Sequence, residues 1–148
     1  MSTGSLEPAS QAASQGRILV VDDDGEMRAL LAEVLREAGY DVKEAANGAE
    51  ALIRLRAESF AAIVLDKNMP GLTGLDLLPG MRVICPETPV VLITAFGDVA
   101  TYVDAVEKGA CAYLFKPFRM EELLLALRQA LAPARHDVPS PLTPGGTG

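Results

Sequence analysis

Histidine and cysteine are nearly absent from this chain, and several kinds of chemistry go with them. The one histidine, His136, stands in "PARHDVPSPLTPGGTG", a stretch crowded with proline and glycine and outside any helical face. It reads as a solvated tail residue. The two cysteines, Cys85 and Cys111, lack zinc-ligand spacing and do not make a disulfide framework. They read as buried or half-buried thiols in a reducing cytoplasm. No apolar run approaches the roughly 18 residues that span a bilayer. The opening "MSTGSLEPASQAASQG" has neither a basic start nor an apolar stretch, so it is not a secretory signal. No basic stripe runs along any segment and the formal charge is −7, which argues against direct nucleic-acid binding.

What is there is an ordinary globular composition. The 148 residues, 49% of them apolar, suit one domain with a sizeable core. Residues 1–16 are rich in Ser, Ala and Gln without a period and read as a disordered leader. Residues 133–148 read as a Pro/Gly-rich tail, or as a linker towards a further domain. Between them, over 17–132, short apolar runs alternate with helical patterns. "RILVV", "AAIVLD" and "PVVLITA" are buried strands, "DVKEA" is a weaker one and "AYLF" is the last. "GEMRALLAEVLREAG" sets Met27, Leu30, Leu31, Val34 and Leu35 at helical spacing before Gly39. "NGAEALIRLRAE", with Asn47 as cap, "DVATYVDAVEKGA" and "MEELLLALRQALA" are further helices. A helix also begins in "GLTGLDLL", but Pro79 and Gly80 then favour a kink or an early end. Five strands alternating with five helical segments imply an α/β fold with a parallel sheet covered on both faces.

In such a sheet, ligands sit beyond the C-terminal ends of the strands. Strand one runs into Asp22, Asp23 and Asp24, strand three into Asp66, strand four into Thr94 and strand five into Lys116-Pro117. Asp24 is expected to cap the following helix. The remaining carboxylates would repel one another beside an apolar sheet unless a hard cation sits among them. Mg²⁺ takes oxygen ligands and keeps waters and a phosphate in its shell. Lys116 adds a second positive charge, and Thr94 a donor. The set suits phosphoryl transfer, which depends on positioning and charge neutralisation.

The motifs "ILVVDDD", "IVLDKNMPGLTG", "VVLITAFGD" and "YLFKPF" resemble those of receiver domains of bacterial two-component response regulators. The resemblance implies a flavodoxin-like (βα)5 doubly wound sheet with strand order 2-1-3-4-5. It implies that Asp66 accepts a phosphoryl group from a sensor histidine kinase or phosphotransfer protein. Mg²⁺ would be held by Asp22, Asp23, the Asp66 side chain and the backbone carbonyl of Asn68. Lys116 would contact the phosphoryl oxygens, Thr94 and Tyr113 would form a switch, and the bond before Pro117 would be cis. The face made by the fourth helical segment, the fifth strand and the last helix would serve a downstream partner or a phosphorylation-dependent homodimer. The protein would be a cytoplasmic signalling domain that catalyses only its own phosphorylation and dephosphorylation. Lys67, beside the phosphoacceptor, and Phe96, overlooking it, depart from the common pattern; Phe96 is expected to crowd the path of a hydrolytic water.

A rival reading is a phosphatase of the haloacid-dehalogenase type, because "VVDDDGE" resembles its opening motif. That family needs a further acidic pair after a late strand, whereas Glu121 and Glu122 fall on the last helix, and Asp66 would have no role.

Overall fold

The computed structural model describes residues 16–66, 74–95 and 112–132. Residues 1–15, the expected helix over 98–110 and the tail from 133 lie outside the described residues, as do Lys67, Asn68, Phe96, Cys111 and His136. The described residues form five strands: β1 Arg17–Val21, β2 Asp41–Ala45, β3 Ala62–Asp66, β4 Val90–Ala95 and β5 Ala112–Lys116. The described helices are α1 Gly25–Glu37, α2 Gly48–Ala57, α3 Gly74–Ile84 and, last in the chain, α4 Met120–Leu131. All strand pairs are parallel, in the spatial order β2-β1-β3-β4-β5. This is the flavodoxin-like order 2-1-3-4-5, in which the switch point lies between β1 and β3.

The strands differ in burial as their positions require. All five residues of β3 are buried, and so are four of the five in β1. Such continuous apolar runs belong to central strands covered on both faces. β2 reads exposed, buried, half-buried, half-buried, buried, and every residue of β5 is half-buried. These two are the edges. On one face Leu19, Val21, Ile63, Leu65, Val90 and Leu92 pack against α2 and α3 through Leu55, Leu77, Leu78 and Met81. On the other, Ile18, Val20, Val64, Val91 and Ile93 pack against Leu31 and Leu35 of α1 and Leu123 and Leu127 of α4. Each fully buried Leu, Ile or Val side chain contributes about 1.5–3 kcal/mol of transfer free energy.

Local chemistry sets the helix ends. Asp24 caps α1 by accepting from the N–H groups of Glu26 and Met27, and Asn47 caps α2 by accepting from Glu50. After α1, Gly39 adopts φ 105°, a conformation that favours glycine. Its N–H donates to Arg36 and that of Tyr40 to Leu35, so the helix closes in a Schellman motif. The third helix corrects the expectation of an early end, because α3 runs through Pro79 to Ile84. Leu77, Leu78 and Met81, at most 2% exposed, anchor both sides of the proline in the core. Packing of this kind overrides a local propensity penalty of about 3 kcal/mol. Next to the proline, Gly80 lies against Leu52, whose Cδ2 a Cβ at that position would meet at 3.9 Å.

Candidate functional site

The sheet register brings the charged strand ends together. Val21 pairs with Leu65, so Asp22 follows β1 beside Asp66 at the end of β3. Asp66 pairs with Ile93, and Ala95 pairs with Lys116. Side chains alternate along a strand. Asp66 therefore shares a face with Val64, and Lys116 with Leu114, towards α1 and α4. Thr94 shares the opposite face with Leu92, and Tyr113 packs against that same cluster. The acidic and basic groups thus gather on one side of the sheet's end, with the hydroxyl and the aromatic ring on the other.

The geometry is close. Carboxylate oxygens of Asp22, Asp23 and Asp66 lie within 4.8 Å of one another. Asp22 and Asp66 are buried while Asp23 is exposed. The Lys116 Nζ stands 3.2 Å from Asp66 Oδ2. Burial pushes the Asp22 carboxyl up to about 6, against the pull of the Asp24 N–H, which donates to Asp22 Oδ1 at 2.9 Å. The neighbouring Asp66 adds to the rise through its charge and a shared hydrogen bond, and Lys116 opposes it. Thr94 is fully buried, and its Oγ1 has no hydrogen-bond partner among the described residues. A buried hydroxyl left this way costs about 1–3 kcal/mol, which an arriving acceptor would recover. Tyr113 is half-buried on edge strand β5, its ring 5.0 Å from that of Phe115 at an interplanar angle of 70°. The Lys116–Pro117 peptide bond is cis, as expected.

Asp22, Asp23, Asp66 and Lys116 therefore meet, and Thr94 lies one step along β4 from the register partner of Asp66. Asn68 lies outside the described residues. The arrangement fits a divalent cation on its own chemistry: three convergent carboxylates, two of them buried, stand against one lysine. Sequence reasoning missed two residues that hold this turn. Arg28 of α1 donates from Nη1 to the backbone carbonyl of Asp22 at 2.7 Å and from Nε to Glu44 of β2 at 3.1 Å. A side chain bound to a backbone carbonyl leaves no periodic signal. The only hint was a basic residue four positions after the capping Asp24.

Beside Lys116 lies a recess of about 440 Å³ lined by Met27, Pro117, Phe118, Met120 and the lysine itself. Among the described residues, no helix is long and apolar enough to cross a membrane.

Known proteins resemble this chain in sequence and fold. The family model of the response regulator receiver domain matches residues 18–128. The transcriptional regulatory protein ZraR of Klebsiella oxytoca is 39% identical over 118 residues, which are 80% of this chain and 27% of that protein. The chain thus spans about a quarter of that regulator's length. Sporulation initiation phosphotransferase F of Bacillus subtilis is 36% identical over 115 residues, 78% of this chain and 93% of that protein. Among solved structures, the chemotaxis protein CheY4 of Vibrio cholerae superposes with a TM-score of 0.76 at 32% identity, covering 80% of this chain and all of that one. With the match running from β1 into α4 and taking in every strand end described above, the chain belongs to the response regulator receiver domain family.

Proposed function

We propose that this protein is a phosphoacceptor switch in which Asp66 takes a phosphoryl group from a phosphohistidine of a histidine kinase or phosphotransfer protein. The observation that carries the reading is the setting of Asp66: a buried carboxylate at the end of the central strand, paired with Lys116 at 3.2 Å and facing Asp22 and Asp23. In the transfer, a carboxylate oxygen of Asp66 attacks phosphorus, the bond from phosphorus to the donor imidazole nitrogen breaks, and the electron pair stays on that nitrogen. Lys116 places an ammonium group where the phosphoryl oxygens carry charge. Asp22, Asp23 and Asp66 would hold Mg²⁺, which when bound neutralises charge on the transferring group. Thr94 supplies the hydroxyl that donates to a phosphoryl oxygen, and Tyr113 fills the space that the movement opens, reshaping the face around β5. The apolar recess beside Lys116 offers a donor protein a surface next to the reacting carboxylate. The assignment of residues 17–132 as the receiver unit and a cytoplasmic location belong to the same proposal.

The test is labelling with acetyl phosphate and Mg²⁺, followed by intact-protein mass and acid-gel analysis. Wild type should gain one phosphoryl group, and Asp66→Asn or added chelator should abolish the gain. Full labelling of Asp66→Asn would refute the assignment.

A further inference from the structure

Asp22 stands one residue beyond the last paired position of β1, where Val21 faces Ala45. Its N–H still reaches the sheet, donating to the Ala45 carbonyl at 3.1 Å. Its own carbonyl points past the ladder. There it accepts from Arg28 Nη1 at 2.7 Å, while Arg28 Nε donates to Glu44 Oε1 at 3.1 Å. Glu44 is held in turn: Arg36 approaches its other oxygen at 3.7 Å and donates to the Val42 carbonyl at 2.9 Å. One guanidinium thus ties the backbone of the acidic turn to the neighbouring strand, in the place where the sheet's own hydrogen bonds have run out.

We propose that Arg28 is a positioning residue for the divalent-cation site, fixing the Asp22–Asp23 backbone through its fork between the Asp22 carbonyl and Glu44. The inference rests on the reading of Asp66 and its neighbours as a cation-assisted phosphoacceptor site. The geometry is what requires arginine. A planar guanidinium presents several donors in fixed directions and so spans two acceptors at once. An ammonium group carries the same charge as a point and does not impose that angle. The carboxylates of Asp22 and Asp23 repel, so a turn released from Arg28 would relax by moving them apart, away from the spacing that a small octahedral cation demands. Arg28 touches neither the cation nor the reacting atoms. It acts through the turn, as residues that orient metal ligands do, and losses of such residues typically weaken affinity 10–100-fold.

The experiment measures Mg²⁺ affinity by isothermal titration calorimetry, with melting temperature in chelator as the control for fold. Arg28→Gln and Arg28→Lys should each weaken Mg²⁺ binding about tenfold. The chelated melting temperature should fall only slightly in both. Glu44→Gln should weaken binding less, and should add nothing when combined with Arg28→Gln, because both variants break one fork. Unchanged affinity in Arg28→Gln would overturn the inference. So would full rescue by lysine, which would leave only a charge effect, or additive losses in the double variant. If wild type itself bound no Mg²⁺, the phosphoacceptor reading would fall and this inference with it. If wild type bound and labelled normally while Arg28→Gln bound equally well, only the inference would fall.

Discussion

The two ends of the sheet use the same residue types in opposite ways. At the N-terminal end, Arg17 of β1 pairs with Asp41 at 2.8 Å and with Glu58 at 2.8 Å, and Arg54 stands 3.8 Å from Glu58. Acid and base alternate there, the side chains are partly solvated, and the arrangement is cheap to keep. At the C-terminal end, three carboxylates converge on one another with Lys116 as the cation in contact. Exposed pairs contribute little to stability, whereas clustered like charges at a sheet end work against it. A protein tolerates the second arrangement where the strain has a use. The difference separates charges that decorate a fold from charges that, on the proposed reading, hold a cation.

The comparison can be broken by protons first. Burial raises the Asp22 carboxyl to about 6, above the ordinary carboxylate range, so the folded state holds its proton more tightly than the unfolded chain does. This contribution to stability is fully present below about pH 4 and is lost as the pH rises through about 6. The loss amounts to about 3 kcal/mol across the whole window. Denaturation in chelator over that range should show it, and Asp22→Asn should flatten it. A flat wild-type profile would deny the strain at this end. A cation should act in the opposite direction. Mg²⁺ at a hundredfold excess over its Kd should stabilise the fold by about 2.7 kcal/mol. The gain should be larger at neutral pH than near pH 5, and Asp23→Ala should remove most of it in a thermal melt.

A smaller effect comes from removing one charge of the cluster. Asp66→Asn should raise the chelated stability by about 1–2 kcal/mol, since the relief of repulsion outweighs the loss of the Lys116 pair. A variant that cannot be labelled would then be the more stable protein, and a fall in its denaturation midpoint would contradict the strain argument. The smallest effect lies at the other end of the sheet. Glu58→Gln, which weakens both arginine contacts, should lower the melting temperature slightly, and high salt should erase the difference. A larger fall than that caused by Asp23→Ala in Mg²⁺ would reverse the contrast between the ends.

Much of this was legible in the chain because burial writes itself into strands. The runs Ile18–Val21 and Ala62–Leu65 are apolar throughout because both faces are covered, and the weaker "DVKEA" proved to be an edge. Once the strands were located, the parallel alternation alone brought Asp22, Asp66, Thr94 and Lys116 to one end. The course of α3 was not legible, since Pro79 speaks locally for a break while the burial of Leu77, Leu78 and Met81 is a tertiary matter. The hold of Arg28 on a backbone carbonyl was hidden for a similar reason: it depends on where β1 stops pairing, which no single residue type announces.

The contact between Lys116 and Asp66 joins two strands of very different constraint. Asp66 closes β3, whose five successive residues are buried, whereas Lys116 closes β5, an edge whose five residues are all half-buried. Amides of the first are expected to open only with the whole domain, and those of the second to fray more readily. The two members of the contact thus stand at opposite ends of a gradient in stiffness. If Asp66 takes up the proposed phosphoryl group, the strand beneath it should hold and the displacement should fall on the rim.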